Sequence, residues 1–329
     1  MTAAAAGEPS PPGAGGLPPL REVIARHGLR ADKRLGQHFL LDPGLLARIA
    51  RAAGDLAGRT VLEVGPGPGG LTRALLDAGA GRVVAVERDP RCVAALAELA
   101  DRAGRGRLTL VGADALAVDE AALDPPPFTV VANLPYNVAT PLLLKWLGRP
   151  GLFDSFTVMV QREVADRLVA APRTKAYGRL SVMVQWRCEV GRLFNLPARA
   201  FVPPPKVTSS LVRLVPRPAP PAEADPAALE AVVAAAFGRR RKMLRAALRT
   251  LVPDPDGLLA AAGGLPPTAR AEELDVAAFC ALARAYRAGA GAAPVSGAGR
   301  GTGGRTPSGP AGGGGAAAPP SGSPASARG

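Results

Sequence analysis

Apolar positions along the chain fall into two rhythms, one of period about 3.6 and one of short unbroken runs. From Asp42 to Ala53 the rhythm is helical: Leu45, Leu46, Ile49 and Ala53 share a stripe behind an Asp cap and a proline in the first turn, which predicts an amphipathic helix. Thr60–Val64 is a short apolar run that ends in Gly65-Pro66-Gly67-Pro68-Gly69-Gly70, after which Leu71, Leu75 and Leu76 resume helical spacing. The reading is strand, glycine loop, helix. Further runs at Val83–Val86, Leu108–Val111 and Phe128–Ala132 end at Glu87-Arg88-Asp89-Pro90, near Asp114 and at Asn133, with a helix through Cys92 to Ala100 after the first of them. Strands that alternate with helices in this way predict an α/β fold built on a parallel, doubly wound sheet, with its ligand beyond the carboxyl ends of the strands.

Phe156–Val160 reads as a fifth strand, Glu163–Ala170 as a helix, and Lys175-Ala176-Tyr177-Gly178-Arg179-Leu180 as the opening of another. Two more strands, Cys188–Phe194 and Ser209–Val215, close the sheet, with Phe201-Val202-Pro203-Pro204-Pro205 between them. After Pro216–Pro226, which reads as a linker, helix-forming stretches dominate to Arg287. The expected organisation is a disordered leader over 1–20, an α/β domain over 21–215, a small C-terminal helical domain over 216–287 and a disordered tail over 288–329. The tail is Gly, Ala, Pro and Ser with Arg300, Arg305 and Arg328 as its charges, a composition that cannot bury enough apolar surface to offset ordering. The first twenty residues hold no Lys or Arg, so they lack the basic start of a secretory signal. No run of eighteen apolar residues lies between them and the tail, and a soluble chain is expected.

Charge narrows the class of partner. The chain has 40 Lys and Arg against 27 Asp and Glu, and setting aside Glu8 and the three tail arginines leaves 37 against 26. Such an excess points to a polyanion, because each cation placed near a nucleic-acid phosphate releases a condensed counterion; a solubilising surface is the plainer alternative. Cys92, Cys188 and Cys280 lie far apart with no CxxC pair, and His27 and His38 are the only histidines. This argues for a reducing, cytoplasmic setting and against structural zinc.

The glycines at 65, 67, 69 and 70 let the backbone turn tightly and approach a ligand, with the next helix offering free N–H groups. Glu87, 22 positions after Gly65 at the end of the following strand, can accept hydrogen bonds from both hydroxyls of a ribose. Those two features suit a nicotinamide enzyme and a methyltransferase alike. Asn133-Leu134-Pro135-Tyr136, at the end of the fourth strand, separates them. The N6 amine of adenine is a poor nucleophile because its lone pair is delocalised into the ring. An Asn side-chain oxygen with a neighbouring backbone carbonyl can accept both amine hydrogens while an aromatic ring stacks on the base. Pro135 stiffens the loop, and Tyr136 offers the face for a base taken out of its helix. A nicotinamide oxidoreductase is disfavoured by GxGxG in place of GxGxxG and by the want of a His or Tyr-Lys pair for hydride chemistry.

From Leu35 to Arg287 the chain resembles the bacterial small-subunit ribosomal RNA adenine dimethyltransferases. The motifs that carry the resemblance are LGQHFLLD, VLEVGPGPGGLT, VERD, GADAL, VANLPYN, KAYGRLSV, FVPPPKVTSSLVRL and FGRRRKMLRAAL. It implies a Rossmann-like methyltransferase sheet over 21–215 that binds S-adenosyl-L-methionine, and transfer of methyl groups to N6 of two adjacent adenosines near the 3′ end of 16S rRNA in the immature 30S subunit. It further implies that His38 and Leu40 line the cofactor pocket, that Gly65 meets the amino-acid end, that Gly67 also binds the cofactor, that Glu87 meets the ribose and Asp114 the adenine, and that Asn133 sits between methyl donor and target base. The family usually carries Asn where this chain has His38.

Because a sulfonium donor becomes a neutral thioether, the reaction needs no metal, and alignment supplies most of the rate. A monomer is expected. Arg239, Arg240, Arg241, Lys242, Arg245 and Arg249 form a basic cluster on a predicted helix, read as the phosphate grip, with a solvated face as the plain alternative. Two alternatives stand beside this reading: a resistance-type methyltransferase of 23S rRNA, which shares the fold and most cofactor motifs but more often carries Phe at the position of Tyr136 and lacks the KAYGRLSV and FGRRRK stretches, and a mainly non-catalytic assembly factor.

Overall fold

Asp42-Pro43, Asp89-Pro90, Asp225-Pro226 and Asp254-Pro255 each open a helix in the computed structural model. In each, the Asp carboxylate accepts a backbone N–H from the first turn, and the proline stands where no N–H is needed. The structure describes residues 17–32 and 36–291; most of the tail, most of the leader and Lys33-Arg34-Leu35 lie outside the described residues.

The elements are α1 (Leu20–Arg26), β1 (Phe39–Leu40), α2 (Pro43–Ala52), β2 (Thr60–Val64), α3 (Gly70–Asp77), β3 (Arg82–Glu87), α4 (Pro90–Ala103) and β4 (Leu108–Gly112). Then come β5 (Phe128–Asn133), α5 (Ala139–Leu147), β6 (Phe153–Gln161), α6 (Arg162–Leu168), α7 (Arg179–Arg187), β7 (Cys188–Leu196), β8 (Phe201–Val202) and β9 (Ser209–Pro216). The helices α8 (Pro226–Gly238), α9 (Leu244–Leu248), α10 (Pro255–Ala261) and α11 (Val276–Gly291) complete the described chain, α11 running into the segment whose composition marks it as tail.

Seven strands form one sheet in the order β4-β3-β2-β5-β6-β9-β7. The first five are parallel, and the order reverses between β2 and β5, where both chains end in loops that face one crevice. The sheet is not parallel throughout: β9 runs antiparallel to both β6 and β7. The segment from β7 to β9 is taken up by a short turn at Ala198–Ala200, the two-residue strand β8 and a run of prolines rather than by a crossover helix, and β9 folds back between its two neighbours. Both faces of the sheet are covered. Leu62, Val84, Val130 and Val158 face one apolar cluster with Trp146 and Phe156, and Val61, Val83, Ala85, Val131 and Met159 face a second with Leu46, Ile49 and Leu75. This explains why the central strands read as unbroken apolar runs.

The C-terminal helices have their own core around Leu229, Val232, Leu248, Phe279 and Leu282, which Tyr177, Val182 and Trp186 of the α7 region join. A separate two-stranded ladder pairs Phe39 with Val202 and Leu40 with Phe201, tying the segment before α2 to the proline-rich loop before β9.

Candidate active site

Val64 ends β2 at the switch point, and the chain then turns through Gly65 and Gly67 at φ +69° and +56°. Both values lie in the left-handed region that a side chain disfavours. Both positions are also closely packed. A Cβ on Gly65 would lie 3.4 Å from Cδ of Pro135, and one on Gly67 would lie 3.3 Å from the Phe39 ring. The loop is therefore threaded between the Asn133–Tyr136 loop and the β1 segment, leaving a cradle in front of α3.

Glu87, at the end of β3, is buried, and its carboxylate accepts three backbone N–H groups, from Gly67 at 2.9 Å and from Arg88 and Asp89 at 2.8 Å each. Burial pushes this carboxyl above its ordinary range while the three N–H groups pull it back. Asp114, just past β4, accepts the Leu116 N–H at 3.0 Å and the Arg88 guanidinium at 3.3 Å.

Glu63 also borders the pocket and was not singled out from the sequence. It is buried, one of its oxygens has no hydrogen-bond partner, and burial pushes the carboxyl up to about 8. An unpartnered carboxyl oxygen on Glu63, a loop that Gly65 and Gly67 hold in the left-handed region and a buried acidic strand end at Glu87 together fit a ligand with an ammonium group and a ribose.

Asn133 ends β5. Its amide donates to the His38 carbonyl at 3.3 Å, which fixes the amide plane and leaves Oδ1 without a protein donor among the described residues. The next carbonyl, of Leu134, is likewise unclaimed, whereas that of Pro135 accepts from Val138 and Ala139 at 3.1 Å each to start α5. Leu134 itself is buried, its N–H held by the Met159 carbonyl at 3.3 Å. Tyr136 is half-buried; its hydroxyl bonds the Ser209 hydroxyl at 2.7 Å, and its ring lies 5.6 Å from the imidazole of His38. Burial raises the phenol above its ordinary range, against the pull of Ser209.

His38, Leu40, Gly65, Gly67, Glu87, Asp114, Asn133, Leu134, Pro135 and Tyr136 all line one pocket. The imidazole of His38, however, is committed elsewhere. Its Nδ1 lies 2.8 Å from the Pro203 carbonyl, an acceptor only, so Nδ1 must carry the hydrogen. Gln37 is a further residue the sequence did not mark: its side chain accepts the Asp32 N–H at 2.9 Å and donates to Asp89 at 3.1 Å, clasping the β1 segment to the end of β3. Arg91, and then Gln37, hold the Asp89 carboxyl at about 2.

The basic cluster does not lie on one helix. α8 ends at Gly238, Arg239 to Lys242 form a turn closed by Lys242 N–H to the Arg239 carbonyl at 2.8 Å, and α9 begins only at Leu244. Met243 is extended and forms an isolated antiparallel bridge with Arg270, off the helical path. Arg240 pairs with Glu272 at 3.0 Å and Arg245 with Asp256 at 2.7 Å. Arg239, Arg241, Lys242 and Arg249 are exposed and have no ion pair among the described residues. Among those residues, too, no three His, Cys, Asp or Glu side chains gather as a metal site, and no helix is long and apolar enough to cross a membrane.

A doubly wound sheet with an antiparallel edge, carrying its glycine loop and its Asn-Leu-Pro-Tyr turn on neighbouring strand ends, defines a Rossmann-like methyltransferase. The comparisons with known proteins narrow this class. The family model described as ribosomal RNA adenine dimethylase matches residues 28–287, and the chain belongs to that family. It is 60% identical to the ribosomal RNA small subunit methyltransferase A of Rhodospirillum rubrum, over 83% of this chain and 94% of that one. Among solved structures it resembles a dimethyladenosine transferase from Plasmodium falciparum, with 27% identity, a TM-score of 0.63 and coverage of 74% of this chain and 96% of that one. It also resembles the 23S rRNA methyltransferase ErmE, with 31% identity, a TM-score of 0.57 and coverage of 76% and 99%.

Proposed function

We propose that this chain transfers methyl groups from S-adenosyl-L-methionine to N6 of two adjacent adenosines near the 3′ end of 16S rRNA, yielding N6-dimethyladenosine as the 30S subunit matures in the cytoplasm. The observation that carries the reading is the pair of unclaimed acceptors, Asn133 Oδ1 and the Leu134 carbonyl, beside the Tyr136 ring. The 60% identity to a small-subunit methyltransferase supports the choice of subunit.

The donor supplies a methyl group on a sulfonium sulfur that leaves as a neutral thioether. Everything else falls to the protein. The backbone at Gly65 and Gly67 receives the amino-acid end, where the orphan oxygen of Glu63 can accept from an ammonium; Glu87 accepts from the ribose, and Asp114 faces the cofactor's adenine. Leu40 and the backbone of His38 close the pocket, while the imidazole holds the Pro203 loop. Tyr136 stacks on the flipped base and is kept in place by Ser209. Asn133 and the Leu134 carbonyl accept the two N6 hydrogens, which favours the pyramidal amine and aims its lone pair at the methyl carbon. Residues 216–287 grip RNA phosphates through the turn at Arg239–Lys242 with Arg245 and Arg249, and the enzyme works as a monomer.

The resemblance to ErmE keeps one rival in view, methylation of the large subunit. Incubation with labelled S-adenosylmethionine and under-methylated small subunits, large subunits or free RNA, followed by mass location of modified adenosines, decides between them. Dimethyladenosine on small subunits is the expected result. Label on large subunits alone would favour the ErmE-like activity, and binding without label an assembly factor.

A further inference from the structure

One groove outside the pocket has the chemistry of a nucleotide site. It measures about 310 Å³, at the small end of the roughly 300–1,000 Å³ typical of ligand sites. Its walls are the end of β6 with the start of α6 on one side, and Val207 with Thr208 on the other. It lies next to the base pocket by construction. Gln161 is the ladder partner of Ser209, the residue that holds the Tyr136 hydroxyl, and the Arg162 N–H donates to the Thr208 carbonyl at 2.9 Å. From Ser209 to Val207 is two residues, at most about 7 Å of chain.

The side chains there are an amide, a guanidinium, an exposed valine and two carboxylates. The carboxylates are both taken, Glu163 by Arg167 and Asp166 by Arg192. Arg162 is exposed and has no acidic partner among the described residues, so the groove offers a free cation rather than a balanced pair. Val207 is 44% exposed, an apolar surface beside the half-buried Gln161.

We infer that this groove holds the nucleotide next to the one in the base pocket, with Arg162 on its phosphate, Val207 against the face of its base and the Gln161 amide on the base edge. A Gln amide presents one donor and one acceptor side by side, which matches the N6 and N7 edge of adenine. The inference rests on the proposed methylation of two adjacent adenosines and adds where the second waits while the first reacts. Gln161 and Arg162 are positioning residues in this account, since they touch the RNA and not the reacting atoms.

The test pairs a crosslinking map with kinetics. A photo-crosslinking amino acid in place of Val207, irradiated on under-methylated small subunits with S-adenosylhomocysteine present, marks the nucleotide adjacent to the target adenosine. Gln161→Ala and Arg162→Ala each raise KM for small subunits about tenfold, as removal of one charge-assisted or bidentate hydrogen bond would. Their affinity for S-adenosylhomocysteine stays within about twofold of the parent's, and Arg162→Lys recovers part of the deficit. Crosslinks that map away from the target, or KM values unchanged in both alanine variants while the parent methylates small subunits, overturn the groove assignment alone. A parent chain that modifies no ribosomal RNA overturns the function beneath it and this assignment together.

Discussion

In its proposed role Asn133 needs no rearrangement, because its amide is already turned by the His38 carbonyl and its Oδ1, which has no protein donor among the described residues, borders the pocket. Tyr136 is held from the other side, by a hydroxyl contributed 73 residues further along the chain. These two tethers set separable expectations. Tyr136→Phe keeps the stacking face and loses one neutral hydrogen bond, so methyl transfer should fall by less than about tenfold. Tyr136→Ala removes the face and should cost about 100-fold, with S-adenosylhomocysteine binding retained in both. Equal losses in the two variants, measured by label incorporation, would assign the ring no stacking role. The Asn-Leu-Pro-Tyr turn was legible in the sequence because its residues are consecutive. Ser209, and the Pro203 carbonyl that claims His38 from 165 residues away, were not, because no local pattern encodes an interaction between distant segments.

At the scale of elements, strand β2 carries a carboxylate in an apolar strand, and burial sets its behaviour. Glu63 holds its proton up to about pH 8 in the folded chain and releases it near 4.5 when unfolded. Between those values the native state binds more protons than the unfolded one, so stability falls as pH rises across the window and levels off above it. Glu63→Gln should flatten that fall. Urea midpoints at pH 5, 6.5 and 8 check it, and an unaltered slope in the variant would show that Glu63 is not the titrating group. The central strands and the Asp42-Pro43 helix start were readable because each is a local signal. The antiparallel edge was not, since run and loop length do not disclose that β9 inserts between β6 and β7. The basic stretch misled for a related reason: its composition suits a helix, whereas α8 ends at Gly238 and Met243 pairs with Arg270, a residue far along the chain that no local pattern announces.

At the scale of the whole molecule, Arg26, Arg82, Arg149 and Arg240 are ion-paired, whereas in the turn after α8 Arg239, Arg241 and Lys242 are exposed and have no ion pair among the described residues. Changing these three to Glu should weaken binding to small subunits and reduce the salt slope by about 0.7–0.9 for each phosphate that is no longer neutralised. Cofactor affinity should stay as in the parent; an unchanged RNA affinity would dismiss the turn as the grip. The most direct measurement compares the parent with Asn133→Ala on under-methylated small subunits, counting N6,N6-dimethyladenosine by mass while S-adenosylhomocysteine binding is read on the same preparations. A drop of about 10²–10³ in methyl transfer with cofactor binding intact is expected. Dimethyladenosine formed at the parent's rate by the alanine variant would contradict it.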